Sequence, residues 1–185
     1  MDSDIIMIDQ SFFTDSISTS DGFIDKMKVT GFFEVEIWRK DQIIGHEFFN
    51  AVTNEGLNNM LGVTFHGDTQ QTSWYMLLIS ATSYSALAAG DTMASHSGWL
   101  EATAYSESTR QQWTCGSPAL KSITNGTAVT FTISVDGTVI KGIGVTSDNT
   151  KSGTTGKLWS TGLFSSDQTL LNGDQLKITY TVNIS

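Results

Sequence analysis

Three histidines, His46, His66 and His96, come first among the residues able to do chemistry. An imidazole titrates near neutral pH and serves as a general base or a metal ligand. His66-Gly67-Asp68 joins an imidazole to a carboxylate on a polar loop beside Thr64 and Thr69. Two ligands without a third fall short of a zinc or iron site, and a loop histidine followed by a turn-forming Gly-Asp accounts for the same residues. His46 falls in an expected strand and His96 in a Ser-rich connection, where structural roles suffice. No Gly-x-Ser-x-Gly elbow occurs, nor a Gly-rich phosphate loop ending in Lys-Ser or Lys-Thr. Cys115, the sole cysteine, has no cue for an activated thiolate and reads as a buried small hydrophobe. It has no partner for an intrachain disulfide. The carboxylate pairs Glu34 and Glu36, or Asp167 and Asp174, suit glycosidase chemistry only if the fold sets their separation. Glu34 and Glu36 project from one face of a strand, which reads more simply as solvated surface. The expectation is a protein that is not an enzyme and uses no cofactor and no metal.

Five tryptophans (Trp38, Trp74, Trp99, Trp113 and Trp159) raise a different chemistry, stacking on sugars. Trp74 and Trp159 lie in apolar strand contexts and are expected to be buried. Trp38 alternates with Glu34 and Glu36 and should share their face, which makes it the candidate exposed aromatic.

The elements that position these residues read as β. Among 185 residues, 39% are hydrophobic, glycine (17) far outnumbers proline (1), and charged residues reach only 16%. That balance suits one domain of short strands joined by tight turns. The net charge of -9, with 10 basic residues and no basic cluster, argues against a phosphate-binding surface, so direct nucleic-acid binding is not expected. Met1-Asp2-Ser3-Asp4 before the short run Ile5 to Ile8 lacks the basic region and the apolar length of a secretion signal. No apolar run approaches the roughly 20 residues that span a bilayer. The expectation is a soluble protein made in the cytoplasm, without a membrane partner.

Val29 to Arg39 and Ile43 to Val52 alternate apolar and polar residues across Lys40-Asp41-Gln42, which predicts a hairpin. Thr53 caps a predicted short helix carrying Leu57, Met60 and Leu61 on one face and ending at Gly62. Trp74 to Ile79 reads as a strand buried on both faces, and residues 80 to 98 as a long connection with at most one helical turn. Asp136-Gly137 between Thr127 to Val135 and Thr138 to Thr146 predicts a second hairpin. Leu158 to Phe164 is a further strand, and Asn172-Gly173-Asp174 turns into a last strand with Leu176, Ile178, Tyr180, Val182 and Ile184 on its dry face. About eight strands with almost no helix predict an all-β fold. It is an antiparallel β-sandwich, jelly-roll-like or immunoglobulin-like, over residues 29–185.

Several runs carry a resemblance. Val52-Thr53-Asn54-Glu55-Gly56-Leu57-Asn58-Asn59-Met60-Leu61, Ser73 to Ile79, Ala89-Gly90-Asp91-Thr92-Met93 on to Trp99, Tyr105 to Arg110, Ser122 to Asn125, Ser152 to Trp159 and Gly173 to Thr181 follow one another in this order. In these runs, from about Phe32 to Ser185, the chain resembles a family of small virion proteins encoded among tailed-bacteriophage head and structural genes. The resemblance brings no catalytic residue. It implies a jelly-roll-like sandwich that decorates and cements a capsid, with the major capsid protein as partner and the virion surface as location. The alternative is a tail-fibre, head-fibre or carbohydrate-binding module for host attachment. Residues 1–28 stand outside the likeness and read as an extended, acidic N-terminal arm. Its apolar groups Ile5, Ile6, Ile8, Phe12, Phe13, Phe23 and Ile24 are the candidate contacts with a neighbouring subunit. Packing against its own domain is the equal alternative. The lack of disulfides and the need to cover strand edges predict a homo-oligomer, a dimer or trimer.

Overall fold

The computed structural model describes residues 27–185. The expected arm contacts Ile5, Ile6, Ile8, Phe12, Phe13, Phe23 and Ile24 lie outside the described residues. The fold is all-β, antiparallel and sandwich-like, as the alternation and turn signals predict. Its ten strands are β1 (Val29–Arg39), β2 (Gln42–Val52), β3 (Tyr75–Ser80), β4 (Glu101–Ala102), β5 (Gln111–Gln112), β6 (Ser122–Thr124), β7 (Val129–Thr132), β8 (Thr138–Thr146), β9 (Leu158–Leu170) and β10 (Gln175–Ile184). All belong to one curled sheet in the order β4-β3-β8-β9-β2-β1-β10-β6, with β5 beside β3 and β7 beside β10. The curl places β3, β8 and β9 on one wall and β1, β10 and β7 on the other. Phe33, Val35, Ile37, Met76, Leu78, Phe131, Ile143, Leu176, Ile178 and Tyr180 fill the space between as one buried cluster.

β1 and β2 form the predicted hairpin, but on a two-residue turn, Lys40-Asp41, that pairs Arg39 with Gln42. β1 also pairs along its length with β10, and the ladder starts at Lys28, which exchanges two backbone hydrogen bonds with Ser185.

The Asp136-Gly137 turn does not close a hairpin. β7 pairs with β10, while β8 pairs with β9 and β3. Thr132 opposes Gln175 and Thr138 opposes Leu170, so the register runs almost unbroken through the corner. Residues 129–146 and 158–184 are thus the two arms of one long ribbon, bent across the sandwich, whose true tip is the loop 147–157. The Asp136-Gly137 and Asn172-Gly173 turns dock on each other at the bend: Gly137 N–H donates to Leu170 O, Asn172 N–H to Asp136 Oδ1, and Gly173 N–H to Ile133 O. Gly137 and Gly173 both have positive φ, the conformation glycine adopts without cost. Turn chemistry marks a reversal of direction. Which strands pair is decided by the core.

The Trp74–Ile79 run is buried on both faces from Met76 to Ile79, while Trp74, just before the strand, and Tyr75 are half-buried. Met76 and Leu78 face the main core, and Leu77 and Ile79 face a second cluster with Met93, Trp99 and Leu158. The irregular segment before β4 therefore covers the outside of β3. Asp91 fastens it, accepting from Trp99 Nε1 at 2.9 Å and Ala88 N–H at 3.0 Å.

The helix α1 (Asn54–Leu61) starts at Thr53, whose Oγ1 accepts from Gly56 N–H at 3.0 Å. It does not end at Gly62. That residue stays helical, and a π-turn (Gly62–His66) continues to Gly67, where φ of 77° ends it. No helix among the described residues is long and apolar enough to cross a membrane.

Candidate interaction surface

The residues singled out for chemistry are dispersed rather than convergent. His66 Nδ1 lies 2.8 Å from Asp68 Oδ1 on an exposed loop, and this hydrogen bond and the carboxylate charge raise the imidazole pKa above its ordinary value. His46 packs edge-on against Phe164 and His96 stacks on Trp99, with ring centroids 5.4 and 3.9 Å apart. Among the described residues no group of three or more His, Cys, Asp or Glu is placed to hold a metal. Asp167 pairs with Lys141 at 2.7 Å, whereas Asp174 sits on Arg39. Cys115 is exposed, against the expectation of burial. It lies beyond β5 at an isolated bridge to Asn125, and the interior there is filled by the Asn125 amide and the Trp113 ring.

The tryptophans divide. Trp99 and Trp113 are buried, and Trp74 and Trp159 are only half-buried, packed together at the margin of the main core. Trp159 Nε1 and Asn50 Nδ2 donate to the buried Tyr180 hydroxyl, which also lies 3.1 Å from Ser160 Oγ. Burial outweighs these bonds and pushes the Tyr180 pKa up to about 12. This is a structural network inside the sheet, closed to a substrate.

Trp38 does share the face of Glu34 and Glu36. It is not a free platform: its Nε1 donates to Glu36 Oε2 at 2.8 Å, and Lys177 Nζ sits 3.5 Å from the ring centroid. Following the β1–β2 register outward from this residue reveals the surface that the sequence reading missed. The outward pairs are Trp38 with Ile43, Glu36 with Gly45, Glu34 with Glu47, and Phe32 with Phe49. Two apolar pairs thus bracket a patch of three carboxylates, and one of the pairs sets like charges directly opposite, an arrangement that destabilises a sheet. Phe49 is 73% exposed and Ile43 54%. Gly45 lacks a side chain in the middle of the patch, and Glu34, Glu36, Gly45 and Glu47 line a shallow hollow of about 480 Å³ there.

One edge of this surface is open. β2 pairs with β9 only at Asn50, Ala51 and Val52. Beyond that point residues 164–167 of β9 oppose the single Lys141 of β8, a bulge at which backbone pairing with β2 ends while the Phe164 ring still packs on His46 and Phe48 from the inner face. From Gln42 to Phe49, β2 pairs only with β1 among the described residues. A lone glycine inside an alternating strand is the sequence signal that could have pointed here.

A second apolar surface lies where the described chain begins. Met27, Val29, Val52, Leu57, Met60 and Leu61 line a depression of about 400 Å³ beside α1. No family model, no curated protein and no solved structure matches the chain.

Proposed function

We propose that this chain is a non-enzymatic structural protein of a tailed-bacteriophage particle, one that binds the major capsid protein on the outside of the shell and cements it. The sequence runs between Phe32 and Ser185 support the phage reading. The observation that carries an interaction role is the outer face of β1 and β2: two apolar pairs in which Ile43 and Phe49 are exposed, three carboxylates and a strand edge unpaired among the described residues. Surfaces of this composition are costly in a free protein and are relieved by a partner. The work done is mechanical. Each bound copy adds contacts across shell subunits, and the shell gains stability with occupancy by mass action.

Host attachment through sugar stacking draws less support, because Lys177 already covers the Trp38 ring. A homo-oligomeric state, a dimer or trimer, belongs to the same reading and is measured by light scattering. The test is a particle assembled without this protein. Such particles are expected to form, yet to release DNA at lower temperature or milder osmotic shock than complete ones. Heads that are equally heat-stable but fail to adsorb to cells would assign the chain to attachment instead.

A further inference from the structure

We infer that the open edge of β2 is a docking site for an extended, basic segment of another protein, which adds as a strand beside Ile43 to Glu47 and places a Lys or Arg side chain in the hollow above Gly45. The site holds whichever assembly the partner belongs to, so it stands apart from the capsid reading. The backbone supplies the first argument. A two-residue turn closes on a hydrogen-bonded pair, here Arg39 and Gln42, so the even positions of β2 bond to β1. The N–H and C=O groups of Ile43, Gly45 and Glu47 then point to the open side, ready for a further strand.

Three other edge strands are guarded by brevity. β4 and β5 have two residues each and β6 has three. The open part of β2 has eight residues and carries neither lysine nor proline, the usual safeguards of an exposed edge. Its exposed side chains include Ile43, Ile44 and Phe49.

Gly45 supplies the second argument. Its φ is not positive, and a Cβ built there meets nothing within 4 Å. Neither the backbone conformation nor the packing of the described residues calls for glycine at this position. What its absent side chain leaves is room, walled by Glu36 opposite, Glu47 two residues along and Glu34 diagonally across. Neither Glu34 nor Glu47 has a salt-bridge partner among the described residues, and the Lys177 ammonium is engaged over Trp38. Charge complementarity therefore selects a cationic side chain. It also selects against a second copy of this chain, which would bring its own Glu34 and Glu47 to the same patch.

The experiment uses the isotope-labelled full chain and a blocked peptide alternating Lys and Val, with a peptide alternating Glu and Val as control. Amide shifts and slowed hydrogen exchange are expected at Ile43, Gly45 and Glu47 with the basic peptide only. Glu47→Lys, and separately Gly45→Val, should weaken binding by about tenfold or more. Both variants should unfold at a temperature no lower than the parent, which separates loss of the site from loss of the fold. Equal binding of the acidic peptide, shifts confined to another surface, or undiminished binding by Gly45→Val would overturn the inference. Slow exchange of the same three amides in the free monomer would assign the edge to the chain's own N-terminal residues. A dimer in sedimentation that Glu47→Lys abolishes would assign it to a second copy.

Discussion

Arg110 and the Glu34–Glu47 pair are two ways of placing charge on the same sheet. The Arg110 guanidinium is fully buried, and its donors are answered from within: Glu101 by a forked contact with the shortest distance 2.7 Å, Asp148 O at 3.0 Å and Gly153 O at 2.8 Å. Glu101 Oε2 also accepts from Ser152 N–H at 2.9 Å. Together they pin the 147–157 tip of the long bent ribbon to the body. On β1 and β2, by contrast, Glu34 and Glu47 oppose each other, face solvent and have no salt-bridge partner among the described residues, while Glu36 accepts from the Trp38 indole and stands opposite Lys177 of β10. The chain satisfies charge completely where it serves the fold. This contrast is the ground for the inference that an outside group docks at the β2 patch.

Breaking the closed side should have the largest effect. Arg110→Ala leaves Glu101 buried without its cation and frees the 147–157 tip, so a loss of about 3–5 kcal/mol in urea unfolding is expected, as for other broken buried pairs. Asp174→Asn strikes the second such contact. Asp174 accepts from Arg39 and from Leu171 N–H beside the bend, and the expected loss is about 1.5–3 kcal/mol at neutral pH. Burial works to raise the Asp174 pKa, but the Arg39 and Leu171 hydrogen bonds and the guanidinium charge bring it below the ordinary value. A depressed folded-state pKa stabilises above the unfolded value of about 3.9, and that stability fades as pH falls through the folded value. The gap between wild type and Asp174→Asn should therefore be full at pH 7 and narrow below about pH 4 in denaturant titrations. Thr53→Ala removes the cap of α1 and should cost about 1 kcal/mol, read from the shift of the urea midpoint.

How much of this the sequence discloses depends on the range of the interaction. The dry face of β10 from Leu176 to Val182, the cap at Thr53 and the double burial of β3 follow from spacing along a few residues, and each stands in the structure where alternation or capping places it, whereas Ile184 at the end of β10 is exposed. The corner at Asp136-Gly137 depends on strands some forty residues apart, and the half-burial of Trp159 on Trp74 much farther along the chain, which no local pattern encodes. The interaction surface turned on one residue of turn length. A three-residue turn at Lys40-Asp41-Gln42 would set Arg39 opposite Ile43 and Glu34 opposite Phe48. The two-residue turn sets Glu34 opposite Glu47 and Glu36 opposite Gly45. The like-charge pair and the hollow are invisible until that register is known.

The smallest expected effect sharpens the comparison most, because it goes in the opposite direction. Glu47→Lys exchanges a repulsive cross-strand pair with Glu34 for an attractive one, and directly opposed charges in a sheet are worth roughly 0.2–1 kcal/mol. Glu47 is exposed, so the substitution needs no repacking of the core. A gain in stability of about 0.5 kcal/mol is therefore expected, measured as a rise in the urea midpoint at unchanged slope. Because both carboxylates face solvent, the gain should shrink as salt screens them, with most of it lost by about 1 M, where the screening length is roughly 3 Å. A residue whose replacement improves the free protein is one the fold does not require. Should Glu47→Lys instead destabilise the chain at every salt concentration, Glu47 would be answered by a cation of its own protein. The contrast with Arg110 would then disappear.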